Sequence, residues 1–157
     1  MNSDYNYNPP LTNGETSLRK IIDRRQDYNR RIGRIGELFV FEKELEKLKG
    51  TAFVGCVTDC ADDPEAFCDI KSKTTEGEDV NIEVKATASS DPFADFYMSQ
   101  READIAFGLM ANDELYELHR VFSVGGKIDR IILTAEWLFR EYDFIGHTFA
   151  VRRRRTS

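Results

Sequence analysis

Residues Val80 to Thr87 read "VNIEVKAT". Val80, Ile82 and Val84 alternate with Asn81, Glu83 and Lys85, which is the period of a strand with one apolar and one polar face. The polar face sets a carboxylate and an ammonium two residues apart. An edge strand with a solvated face and a cross-strand ion pair accounts for that pattern. So does a site in which the pair does chemistry, and the sequence on either side bears on the choice.

Upstream, "FCDIKS" (residues 67–72) reads as a second short strand, and the connecting "KTTEGED" carries Gly77 among polar residues, as a hairpin of moderate length requires. The hairpin predicts Asp69 on one strand and Glu83 on its neighbour. Cross-strand neighbours lie about 5 Å apart, so the two carboxylates can share one hard cation. Mg²⁺ takes oxygen ligands and keeps several waters, so Asp69, Glu83 and a main-chain carbonyl, that of Val84, form a sufficient set, with Mn²⁺ as a substitute. Such an ion polarises a scissile phosphate and acidifies a bound water. Lys85 is placed to orient that water or to neutralise charge developing on the phosphorane.

Further upstream, Leu18, Ile21 and Ile22, then Ile32, Ile35, Leu38, Phe39, Phe41, Leu45 and Leu48, recur at helical spacing. Gly33 and Gly36 predict a break or bend, and Gly50 a C-terminal cap. Two helices, or one bent helix, are expected, with Glu37 on the second segment completing the metal sphere or holding a ligand water. "TAFVGCVT" (51–58) reads as a first strand and "DCADDPEA" (59–66) as an acidic loop. Downstream, "FADFYMS" (93–99) reads as another strand. Ser99 and Glu102 form a capping box that opens a helix with Ala103, Ala106, Leu109 and Met110 on its buried side. "LYELHRVFSV" (115–124) is a strand ended by Gly125-Gly126, and Thr134 caps a final helix with Trp137 and Leu138 buried. His119 is an isolated histidine, read as a packed or exposed side chain rather than a ligand. The order predicts an α/β sandwich with a mixed central sheet whose middle is antiparallel.

The 157 residues, 41% hydrophobic and 32% charged, suit one globular domain over 18–150, between a flexible lead-in at 1–17 and a basic tail at 151–157. No apolar run approaches the roughly 20 residues of a membrane span, and the polar N-terminus has no signal-peptide core, so a cytoplasmic protein without membrane contact is expected. Cys56, Cys60 and Cys68, with only two histidines, support neither a disulfide framework nor a zinc site and read as reduced structural thiols. Net charge is −6, but it is unevenly spread. Seven basic residues, including Arg24, Arg25, Arg30, Arg31 and Arg34, stand against Asp23 and Asp27 between Arg19 and Arg34, and the tail adds Arg152 to Arg155. A phosphate backbone is the natural partner of such patches, with a solvated helix face and a frayed tail as the alternatives.

Taken together, "IGRIGELFVFEKELEKL" (32–48), "CDIKS", "NIEVKAT", "FYMSQREADIA" and "YELHRVFSV" resemble, in that order, the domain at the C-terminus of the plant protein NO VEIN, found also in bacterial defence-associated proteins. That domain is similar to the Mrr-like branch of the PD-(D/E)XK nucleases. The resemblance implies a restriction-endonuclease-like α/β/α sandwich, with Asp69 and Glu83 as metal ligands, Lys85 as the catalytic lysine and Glu37 as the supporting helix glutamate. Ser99, Glu102, Tyr116 and Arg120 also match its pattern, although capping explains the first two, and the last two read as structural first and phosphate-facing second. The expected function is a Mg²⁺-dependent endonuclease hydrolysing DNA, with RNA left open, in a defence or mobile-element setting; cutting both strands favours a homodimer. One alternative is a catalytically silent module of the same fold that binds nucleic acid or a protein partner as a regulator or inhibitor. The other is an acidic interaction protein in which Glu83 and Lys85 form only a structural ion pair.

Overall fold

Helix α1 (Asn13–Leu48) is a single continuous helix of 36 residues, about 54 Å long, in the computed structural model, which describes residues 13–145. Most of the expected lead-in and the whole basic tail lie outside the described residues. The glycines expected to break the helix do not. At Gly33 a Cβ would meet nothing within 4 Å, whereas at Gly36 it would come 2.5 Å from the Ala86 Cβ. Gly36 is therefore where the helix backbone lies against the sheet, a contact that a sequence pattern reads as a breaker. Gly36, Val40, Glu44 and Leu48, each four residues on, form the buried ridge. Residues 19–31 are exposed throughout.

The strand expected over 51–58 is a turn instead. Thr51 Oγ1 donates to the Leu48 carbonyl at 2.8 Å and accepts from the Phe53 amide at 3.1 Å, which curls the chain into a 3-10 turn at Val54–Cys56. Only β1 (Thr58–Asp59) remains extended. Strands β2 (Ile70–Lys73) and β3 (Asp79–Ala86) form the predicted antiparallel hairpin, with Ile70 opposite Ile82 and Lys73 opposite Asp79. Gly77 turns it at φ +100°, and the Phe53 ring covers the turn so closely that a Cβ at 77 would lie 2.5 Å away.

Helix α2 (Gln100–Ala111) then carries the chain across to β4 (Leu115–Phe122), parallel to β3 from Val80–Leu115 to Ala86–Val121. The Ser99 capping box is present, with both reciprocal bonds. Residues 93–98 are irregular rather than a strand, because their polar groups are held singly: the Phe93 amide by the Asp91 carboxylate at 2.9 Å, the Ala94 carbonyl by Arg120 at 3.1 Å. A strand not foreseen, β5 (Asp129–Thr134), pairs antiparallel with β4, and Thr134 caps α3 (Ala135–Glu141).

The sheet order is β1-β2-β3-β4-β5, so β3 is central, not an edge. Val80, Ile82 and Val84 pack with Ile70, Val121 and Val40 under α1, and Leu118 and Leu133 pack with Ala106, Leu109 and Leu138 under α2 and α3. The fold is mixed α/β, and it buries the polar row of β3 as well as the apolar one: Glu83 is 6% exposed.

Candidate functional site

Strand β2 begins at Ile70, while β3 runs four residues beyond the partner of Ile70 to Ala86. Asp69 stands at that step. Its amide donates to the Ile82 carbonyl at 3.0 Å, and its Oδ2 accepts from the Val84 amide at 2.7 Å, so the aspartate caps a stretch of β3 edge that β2 leaves unpaired. The N–H and C=O of a strand residue leave on the same side, so the Val84 carbonyl faces the same step.

Glu83 and Lys85 flank Val84 and face α2. Lys85 Nζ lies 2.7 Å from Glu83 Oε1 and 3.0 Å from Glu102 Oε2. That Glu102 oxygen also accepts from the Ser99 amide at 2.8 Å, so one carboxylate caps the helix and pairs with the lysine. From α1, Glu37 takes Arg34 at 2.9 Å, and Arg34 grips Asp59 through two bonds of 2.6 and 3.1 Å. The negative charge of Glu37 acts on Asp69.

Burial and mutual repulsion dominate the electrostatics. Burial pushes Asp69 up to about 6, against the Val84 amide and with the help of Glu37. Burial and the Asp69 charge push Glu83 up to about 7, against Lys85. Burial opposes the Lys85 ammonium, but Glu83 and Glu102 more than offset it and hold its pKa above the usual lysine value. For Glu102, burial is overcome by Lys85 and the Ser99 amide, and its carboxyl stays below the usual range. Two carboxylates thus hold one ammonium, and Asp69 stands on the amide of Val84, which lies between Glu83 and Lys85 in sequence.

Among the described residues, no three or more His, Cys, Asp or Glu side chains gather as a metal cage. Asp69, Glu83 and the Val84 carbonyl are nonetheless an all-oxygen set of the size Mg²⁺ accepts when it keeps several waters. Glu83 and Lys85 are therefore in contact and Asp69 bonds the amide between them, while Glu37 is held by Arg34 and acts on Asp69 only through its charge. Glu102 is the member that the sequence ranked low, because its capping role was a complete local explanation.

Arg24, Arg25, Arg30 and Arg31 are exposed on the outer half of α1, which leads into the turn carrying Glu37; Arg34 is committed to Asp59 and Glu37. His119 is fully buried. A groove of about 710 Å³ between α2, α3 and the segment before α2 is lined by Phe96, Met98, Leu138 and Tyr142, and Asp69, Glu83 and Lys85 do not line it. Cys60 and Cys68 are buried, Cys56 is exposed, and all three are free thiols. Among the described residues no helix is long and apolar enough to cross a membrane.

No curated protein and no solved structure matches the chain. The family described as "Protein NO VEIN, C-terminal" matches residues 36–133, a span from the helix glycine on the sheet to the last strand that contains every residue of the step described above. The chain belongs to the NO VEIN C-terminal family.

Proposed function

We propose that the protein is a Mg²⁺-dependent endonuclease of restriction-endonuclease-like fold that hydrolyses DNA phosphodiester bonds. The observation that carries this reading is the step itself, where the partly buried Asp69 bonds the Val84 amide and the buried Glu83, next to Val84 in sequence, pairs with Lys85. Carboxylates that lose hydration and repel, as these two do, cost stability as a structural device. As ligands for a cation, they gain from both features.

Asp69, Glu83 and the Val84 carbonyl would hold the ion. When bound, it supplies polarisation of the phosphate and a more acidic water. Asp69 is fixed for that task by the Val84 amide, which leaves Oδ1 directed elsewhere. Lys85 keeps its proton, drawn between Glu83 and Glu102, and offers positive charge to an anionic transition state. Glu37, held by Arg34, adds its negative charge to the field at Asp69. The exposed arginines of α1 follow the DNA backbone.

The test is cleavage of supercoiled and linear plasmid with Mg²⁺, with Mn²⁺ and with chelator, beside Glu83→Ala. Metal-dependent nicking that disappears in the variant is expected. A folded Glu83→Ala protein that still cuts in Mg²⁺ overturns the reading. A second reading, a silent module that binds nucleic acid, is favoured by the double ion pair of Lys85, which satisfies the ammonium within the protein; salt-sensitive DNA binding without cleavage in any metal would select it.

A further inference from the structure

Among the described residues, two buried side-chain polar atoms lack a hydrogen-bond partner: the Tyr116 hydroxyl and Arg120 Nε. Both residues sit on β4, four apart, on the side turned to α2. The rest of Arg120 accounts for its position. Nη1 donates to the Lys85 carbonyl at 3.0 Å, Nη2 to the Ala94 carbonyl at 3.1 Å, and the guanidinium lies over the Phe96 ring at 5.2 Å, so the residue clamps the segment before α2 to the end of β3.

Tyr116 has no such account. It is 5% exposed, opposite Asn81 in the sheet, and the charges of Glu83, Glu102 and Asp69 all act on its phenol. A buried hydroxyl left unpaired costs about 1–3 kcal/mol, and phenylalanine would fill nearly the same volume without that cost. The acidic set around it is equally incomplete, because it holds more carboxyl groups than ammonium groups: Lys85 pairs with Glu83 and Glu102, and Asp69 takes the Val84 amide. A divalent cation cancels that excess, and its waters are the bonding partners a phenol oxygen lacks.

We infer that Tyr116 is a positioning residue for the hydration shell of a divalent cation held by Asp69 and Glu83, its hydroxyl oxygen accepting a hydrogen bond from a cation-bound water. This rests on the metal site proposed above and adds a protein contact from a third strand. The phenol suits the task because its oxygen accepts from the water while its own proton stays free for a neighbouring carboxylate.

The test titrates Mn²⁺ into the full chain by calorimetry for wild type, Tyr116→Phe and Glu83→Gln, with metal-free thermal melts of each. The expected result is that Tyr116→Phe melts at or above the wild-type temperature without metal and binds Mn²⁺ about 10–100-fold more weakly, while Glu83→Gln loses binding. Wild-type affinity in Tyr116→Phe, with binding still lost in Glu83→Gln, overturns the role of the hydroxyl and leaves the metal site standing. A lower metal-free melting temperature for Tyr116→Phe also overturns it, since the hydroxyl would then have a structural partner within the protein. No Mn²⁺ binding by wild type, or full affinity in Glu83→Gln, overturns the metal site and the inference together.

Discussion

The two faces of one sheet handle buried charge in opposite ways. Under α1, Glu44 is fully buried; it accepts from Ser72 at 2.8 Å, pairs with Lys47, and meets Arg130 at 3.3 Å. Arg130 Nη1 lies 3.1 Å from His119 Nδ1, and since the guanidinium can only donate, the imidazole keeps its proton on Nε2 and gives it to Glu117 at 2.7 Å. Two carboxylates, two cations and a neutral imidazole close on themselves. Under α2, two carboxylates share one lysine, Asp69 takes only a main-chain amide, and the Tyr116 hydroxyl has no partner among the described residues. The network around the fully buried Glu44 under α1 is thus finished, the partly buried one under α2 is not, and the unfinished one is where a ligand has something to gain.

The contrast breaks first, and by the largest effect, at Asp69 and Glu83. Asp69→Asn and Glu83→Gln should lower metal-dependent cleavage about 10³-fold or more while melting no lower than wild type, because each removes repulsion between buried carboxylates. A large drop in melting temperature would make this face structural like the other. Next, Glu44→Ala should cost about 3–5 kcal/mol in urea unfolding, since it strands Arg130 and Lys47 at the core; a cost under about 1 kcal/mol would show that the α1 network is not closed.

His119 gives a smaller, pH-dependent effect. Burial first, and the Arg130 charge with it, hold its pKa below the ordinary value despite Glu117 and Glu44. As pH falls through about 6.5, the unfolded chain takes up a proton that the folded chain refuses, so stability is lost toward acid. Asp69 and Glu83, raised to about 6 and 7, act with the opposite sign, losing stability as pH rises from about 4 toward 7. The comparison with His119→Gln therefore isolates the histidine: the wild-type advantage should shrink from pH 7.5 to pH 5, and a constant difference would exclude its titration. Smallest for stability, replacing Arg24, Arg25, Arg30 and Arg31 by glutamine should change unfolding free energy by less than about 0.5 kcal/mol. The same change should flatten the salt dependence of DNA binding by about one unit of slope per arginine, and an unchanged slope would remove α1 from the interface.

The residues of the candidate site were legible where local periodicity sufficed. Alternation in "VNIEVKAT" and the length of the hairpin put Asp69, Glu83 and Lys85 together, and Ser99 with Glu102 announced the start of α2. What stayed hidden depends on distant contacts. Gly36 reads as a breaker until β3 and β4 are known to pass beneath it; "DRIILT" was absorbed between a glycine turn and a helix cap; and the bond from Arg120 to the Ala94 carbonyl, spanning 26 positions, leaves no periodic trace. Glu102 shows the subtler failure, in which a sufficient local role conceals a second one.

That doubled role has a kinetic consequence. One oxygen of Glu102 serves both the Ser99 amide and the Lys85 ammonium, so an anionic group that draws the lysine away changes the grip on the first amide of the helix. Hydrogen exchange at the Ser99 amide should therefore change if an anion draws Lys85 from Glu102, which would make the opening turn of α2 a built-in reporter of that event.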